Sequence, residues 1–159
     1  MVKIGIGQDS HKFEPALSKK PLFLGGVLIP DSPGLSGNSD ADVILHALIN
    51  AISGVSCINI LGKISDKLCL EDGITDSKFY LIKALETLKD FHISHISISV
   101  ECSRPKLENF LGKIRISLSK LISVKPDHIG ITATSGEGLT AFGRGQGIQA
   151  FVILTAEKE

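Results

Sequence analysis

Tryptophan is absent from this chain of 159 residues and Tyr80 is its only tyrosine, so few aromatic platforms exist on which nucleic-acid bases could stack. Neither sign of charge predominates. Seventeen Lys and Arg balance seventeen Asp and Glu, which leaves no basic field for non-specific binding to nucleic acid or to an anionic membrane. No apolar run approaches the ~18 residues of a membrane span, and the first eight residues lack the apolar core of a secretory signal. A cytoplasmic protein is expected. Cysteine is scarce: Cys57, Cys69 and Cys102 are odd in number and contain no Cys-x-x-Cys pair, which argues against a disulfide framework and a thiolate zinc site. Reduced, mostly buried thiols are expected instead.

What is present fits one compact domain over residues 1–159. A hydrophobic share of 43% and a mean hydropathy of +0.24 leave apolar surface for sister subunits to cover. Val2, Ile4 and Ile6 alternate with Lys3, Gly5 and Gly7, a period of two that predicts a strand with one buried face and sets Asp9 and His11 on a common face. Pro21 to Pro30 reads as a second strand, with Gly25-Gly26 as a bulge or close backbone approach. Ser39, followed three residues later by Asp42, predicts the capped start of a helix whose buried stripe is Ile44, Leu45, Leu48, Ala51 and Ile52. Asp42, His46 and Asn50 then form a polar line at i, i+4 spacing, facing a site.

Asp76 caps a second helix to about Lys89, with Phe79, Leu81, Ile82, Leu85 and Leu88 as its apolar set. His92 to Val100 reads as a strand with Ile96, Ile98 and Val100 on one face, and a third helix follows Pro105-Lys106 to about Ser123. Ile129–Thr134 and Ile148–Thr155 complete the strands. This order predicts an α/β (α+β) fold with helices packed on one face of a mixed sheet.

Asp9, His11 and His46 supply one carboxylate and two imidazoles, the three protein ligands of a divalent zinc site that keeps its fourth position for chemistry. The helix start at Ser39 offers amides and a positive dipole to a phosphate oxygen, although an ordinary cap explains Ser39 equally well. Residues 135–147, rich in glycine, offer amides, two hydroxyls and Arg144 to a diphosphate, with a plain hairpin loop as the competing explanation. Gly5-Ile6-Gly7 is not a dinucleotide-binding fingerprint, because Ser10 stands where the third glycine belongs and Glu14-Pro15 interrupts the helix that should follow. His92, His95 and His128 have no ligand-like companions and are expected at the surface.

Asp9-Ser10-His11, Gly25-Gly26-Val27-x-Ile29-Pro30, Ser39-Asp40-x-Asp42-Val43-x-x-His46-Ala47-Leu48, Pro105-Lys106 and Gly143-Arg144-Gly145-x-Gly147 together resemble the 2-C-methyl-D-erythritol 2,4-cyclodiphosphate synthases, nearly end to end and in order. The resemblance implies a phosphorus–oxygen lyase of the non-mevalonate isoprenoid pathway. Such an enzyme converts 4-diphosphocytidyl-2-C-methyl-D-erythritol 2-phosphate to the cyclic diphosphate and releases CMP. It also implies a homotrimer with active sites between subunits, Zn2+ or a similar ion on Asp9, His11 and His46, and Mg2+ or Mn2+ at the substrate diphosphate. Implied substrate-binding residues are Asp9, Ser10, His11, Asn38, Ser39, Gly62, Lys106, Thr134, Ser135, Glu137 and Arg144. Asn38 and Ser135 are the implied catalytic pair. Thr134, Ser135 and Glu137 are expected at the α-phosphate and second metal, and Arg144 at an isoprenoid diphosphate in a central cavity.

Three departures from the family pattern bear on function. Asn38 replaces the usual histidine and can donate a neutral hydrogen bond but cannot become cationic, which implies a slower or differently pH-dependent enzyme. Ile60 stands where an acidic residue grips the ribose, in Asn59-Ile60-Leu61-Gly62-Lys63, and the usual lid is reduced to Ser65-Asp66-Lys67-Leu68. Ser135 replaces a threonine. Two other readings stay open: a degenerate homologue that binds isoprenoid diphosphates without turnover, and a zinc-dependent phosphohydrolase with Glu137 or Asp42 as base.

Overall fold

Strand alternation at the N-terminus is present, but the face turned inward is the one carrying glycine. Across β1 (Val2–Lys12) the buried positions are Gly5 and Gly7, followed on the same face by half-buried Asp9 and His11. Val2, Ile4 and Ile6 are 62%, 69% and 67% exposed in the single chain. The cause is the helix α1 (Val43–Ser56), which lies so close that a Cβ on Gly5 or Gly7 would run into the backbone carbonyls of Ala51 or Ala47. Only a hydrogen fits there.

The computed structural model describes residues 1–158; Glu159, the last residue of the expected domain, lies outside the described residues. Strands β2 (Leu22–Leu24) and β3 (Val27–Ile29) form an antiparallel hairpin. The single strand expected from Pro21 to Pro30 is broken because Gly25 and Gly26 turn the chain with φ of 59° and 76°, values that glycine adopts without steric cost. Three helices then run in succession: α1, α2 (Lys63–Asp72) and α3 (Ser77–Glu86). Strand β4 (His92–Glu101), helix α4 (Leu111–Ile122), and strands β5 (Ile129–Thr134) and β6 (Gly147–Glu157) follow. The main sheet has the order β1-β6-β4-β5, with β4 and β5 parallel and the other neighbours antiparallel.

Leu154, Val152 and Ala150 of β6 and Ile96, Ile98 and Val100 of β4 bury against Ile44, Leu48, Ile52 and the rest of the core. The opposite face of the sheet is left exposed, with Ile153 paired to Ile6 and Phe151 to Gln8 across β6 and β1.

Several element boundaries differ from expectation. Helix α1 is capped by Asp42, not Ser39: Asp42 accepts from the amides of Ile44 and Leu45, while Ala41 sits at φ 57°, outside helical conformation. Asp42 is consequently buried and faces the β2–β3 turn, where it accepts from Gly25 and Gly26 at 2.9 and 2.7 Å. It leaves the polar line that His46 and Asn50 continue. Helix α3 keeps its Asp76 cap but stops at Glu86, and buries Ser77, Tyr80, Leu81 and Ala84 while Ile82 is half exposed. Helix α4 begins at Leu111, several residues beyond Lys106. Helix α2 occupies the segment expected to be a reduced lid. Of the thiols only Cys102 is buried; Cys57 is exposed and Cys69 intermediate.

Candidate metal centre

Asp9 and His11 project from the end of β1 and His46 from the second turn of α1, so the close seating of α1 on Gly5 and Gly7 also brings these three side chains together. Asp9 Oδ2 lies 3.0 Å from His11 Nε2 and 3.1 Å from His46 Nδ1. These are just inside the edge of about 3.3 Å expected between ligands of a tetrahedral zinc ion with bonds near 2.0–2.1 Å. The two rings meet edge-on with centroids 5.6 Å apart. Three donor atoms converge on one small volume, and among the described residues no other such group of three acidic, His or Cys side chains is found.

The outward nitrogens decide what the inward ones present. His11 Nδ1 is 2.7 Å from the Ser36 carbonyl oxygen, which only accepts, so Nδ1 carries the proton and the Nε2 lone pair faces Asp9. His46 Nε2 is 2.8 Å from Ser77 Oγ. Asp9 Oδ2 cannot donate when ionised, and burial, which opposes ionisation, is outweighed by the bonds and charges of His11 and His46, which bring its pKa to about 2. The carboxylate of Asp9 and the Nε2 lone pair of His11, with His46 Nδ1 beside them, make a donor set suited to a cation. The donor set therefore fits a divalent ion of borderline softness such as zinc. Hydrogen bonding to Asp9, partly opposed by burial, also raises His11 above its ordinary value.

The group opens into a cleft of about 370 Å³ whose walls include Asn38, Ser39, Asn50, Gly62, Ser65 and Asp66. Asn50 Nδ2 donates to the Gln8 carbonyl, 3.1 Å away. Asn38 uses its carbonyl oxygen to accept from Cys69 Sγ at 3.2 Å. Ser10 lies between the two ligands on the opposite, exposed face of β1. The helix start expected at Ser39 lies instead at Asp42, which occupies the amides of Ile44 and Leu45; Ser39 Oγ accepts from the Ala41 amide at 3.2 Å, so Ser39 offers the cleft a hydroxyl and not helix amides.

The remaining expected substrate residues collect elsewhere. Lys106, Thr134 and Ser135 line a second cleft of about 380 Å³ with Cys102 and Leu107. Glu137 stands in a single 3-10 turn, its amide 3.4 Å from Ser135 Oγ. Arg144 donates to the Leu139 carbonyl at 3.1 Å. The glycine-rich loop is less open to anions than its composition implied, since the amides of Glu137, Leu139, Gly143, Arg144, Gly145 and Gln146 already have partners within the segment and that of Gly136 donates to Thr134 Oγ1 just before it. His92, His95 and His128 are exposed. Asp40 and Ser77, which stand behind His46, carried no signal as a pair, because nothing in the sequence says that the start of α3 meets α1.

A family model described as the YgbB family matches residues 2–157. The protein named 2-C-methyl-D-erythritol 2,4-cyclodiphosphate synthase from Chlamydia trachomatis serovar L2b (strain UCH-1/proctitis) is 47% identical over 154 residues, which span 96% of this chain and 86% of that protein. The protein of the same name from Chlamydia abortus (strain DSM 27085 / S26/3) is 48% identical over 154 residues, spanning 96% and 88%. Among solved structures, one described as 2C-methyl-D-erythritol-2,4-cyclodiphosphate synthase superposes with a TM-score of 0.81 at 31% identity, covering 98% of this chain and 100% of the other. The bifunctional IspDF from Campylobacter jejuni superposes with a TM-score of 0.90 at 26% identity over 100% of this chain, which spans only 43% of that longer one. This chain belongs to the YgbB family.

Proposed function

We propose that the protein converts 4-diphosphocytidyl-2-C-methyl-D-erythritol 2-phosphate to 2-C-methyl-D-erythritol 2,4-cyclodiphosphate and CMP. The observation that carries this reading is the convergence of Asp9, His11 and His46 on one point at the mouth of a cleft, in a chain whose relatives bear the name of that activity. An oxygen of the 2-phosphate attacks the β-phosphorus, and the bond from that phosphorus to the oxygen bridging to CMP breaks. Both partners are anionic, so the protein has to align them and offset their charge, with no protein nucleophile required. Asp9, His11 and His46 would hold a divalent ion such as Zn2+, and Glu137 would help to hold a second, Mg2+ or Mn2+, near the substrate; such ions would supply that charge neutralisation.

Asn38 and Ser39 at the rim of the metal cleft take the reacting phosphate by hydrogen bonding, with Gly62 allowing close approach opposite them. Lys106, Thr134 and Ser135 hold the departing CMP end, Ser135 as hydroxyl donor to the α-phosphate. One chain keeps these two groups in separate clefts, and the exposed sheet face carries the apolar side chains of Val2, Ile4, Ile6, Phe151 and Ile153. Both features support a homotrimer in which one subunit's metal cleft is completed by its neighbour's second cleft, with Arg144 available to an isoprenoid diphosphate in the central cavity.

Phosphorus NMR of the reaction with zinc and magnesium tests the reading. The cyclic diphosphate and CMP should appear together, and His46→Ala should slow their formation about 10²-fold or more. A linear phosphate product, or no turnover by the metal-loaded wild type, would contradict it.

A further inference from the structure

Behind Asp9, His11 and His46 stands a second set of side chains, Ser77 and Asp40. The ring of His46 is enclosed, with 8% of the residue exposed. Its Nε2 lies 2.8 Å from the hydroxyl of Ser77, a fully buried residue at the first position of α3. Ser77 is gripped twice by Asp40: its hydroxyl donates to Oδ1, and its amide donates to Oδ2 at 3.0 Å. Asp40 is held in turn by the Asp42 amide, 3.1 Å from Oδ1, and its own amide donates to the Thr75 carbonyl at 2.8 Å.

Proton counting then assigns every direction. A serine hydroxyl has one proton, and an ionised carboxylate only accepts, so that proton lies between Ser77 and Asp40. Ser77 therefore meets His46 with a lone pair, and His46 must donate from Nε2. Among the described residues the only other hydrogen-bonding neighbour of Nε2 is Ser39 Oγ at 3.4 Å. Donation from Ser39 to an unprotonated Nε2 would make a longer bond and set two lone pairs against each other in the 2.8 Å contact with Ser77. With Nε2 protonated, the lone pair of His46 is on Nδ1, the atom facing Asp9.

We infer that Ser77, clamped by Asp40, is a positioning residue for His46: it takes the Nε2 proton in a hydrogen bond and so presents Nδ1 to the metal. This rests on the metal reading given above, and it ties the entry to α3 to the quality of the metal site. Partners of this kind set the tautomer and orientation of a ligating imidazole, and their loss typically weakens metal affinity 10–100-fold.

Cobalt(II) titration of the metal-free protein, followed by the visible ligand-field spectrum, tests the inference on wild type, Ser77→Ala and Ser77→Thr. Expected are tight binding to wild type, affinity about 10–100-fold weaker with an altered spectrum for Ser77→Ala, and partial recovery for Ser77→Thr. Nitrogen NMR of the wild-type imidazoles needs no variant and should show a proton on His46 Nε2, with Nδ1 bearing the metal. Equal cobalt affinity and spectrum in a folded Ser77→Ala, or a wild-type His46 protonated on Nδ1, would overturn the role of Ser77. Failure of wild type to bind cobalt would instead refute the metal reading.

Discussion

Replacing Gly7 by alanine should damage stability and the metal centre together. The new Cβ would lie well inside van der Waals contact of the Ala47 carbonyl and the Ala51 amide. Both are backbone atoms of α1 with no rotamer to change, so the helix itself has to move off the strand. Overpacking of this kind costs about 2–3 kcal/mol, and in a chain of this length that lowers Tm by about 5–10 °C. The movement acts on the ligands directly: Gly7 and Asp9 share a face of β1, and His46 precedes Ala47 on the helix being pushed. Metal affinity should fall with Tm. Gly54 is the control, because its added Cβ would meet only ordinary contacts at 3.6 Å or more in a helix where alanine is favoured by about 1 kcal/mol. Gly54→Ala should hold or raise Tm by about 2–3 °C with metal affinity unchanged. Calorimetry and metal titration on both variants decide the matter. A Gly7→Ala protein as stable and as tight for metal as wild type would refute the packing argument.

The pH dependence of metal binding follows from His11, whose pKa the Asp9 hydrogen bond holds above 6.5. Asp9 stays ionised down to about pH 2, so on acidification His11 Nε2 gains a proton that a metal must displace. Once the pH is below the His11 value, affinity should fall by up to about tenfold per unit; a flat profile between about pH 8 and about pH 6 would count against His11 as a ligand. Asp42→Asn should destabilise by about 2–3 kcal/mol, because an amide group would replace one of the carboxylate oxygens that together accept from Gly25, Gly26, Ile44 and Leu45. Denaturant unfolding measures this, and an unchanged midpoint would show that the buried carboxylate is dispensable. Burial pushes the Cys102 thiol up to about 11, which leaves roughly one thiolate in a thousand at about pH 8. Mass-spectrometric alkylation should modify exposed Cys57 long before Cys102, and early labelling of Cys102 would contradict its placement.

The residues of the candidate metal centre were legible because each rests on a local rule: the period of two sets Asp9 with His11, and helical spacing sets His46 on the face opposite the apolar stripe. What was not legible depended on a partner distant in sequence. Alternation alone does not say which face of β1 is covered, and the glycine face was chosen by a helix forty residues away. Both Ser39 and Asp42 can cap a helix; the left-handed conformation of Ala41 excludes Ser39 from doing so. Helix α2 buries none of its residues, so it lacks the apolar periodicity by which the other helices announce themselves. The pairing of Ser77 with His46 likewise exists only once α3 has docked on α1.

A crystal of the protein grown with zinc and measured on both sides of the zinc absorption edge tests the central claim most directly. The account predicts an anomalous peak bounded by Asp9 Oδ2, His11 Nε2 and His46 Nδ1, absent in a His46→Ala crystal prepared alike. Zinc located away from these three atoms, or retained at full occupancy without His46, would contradict it.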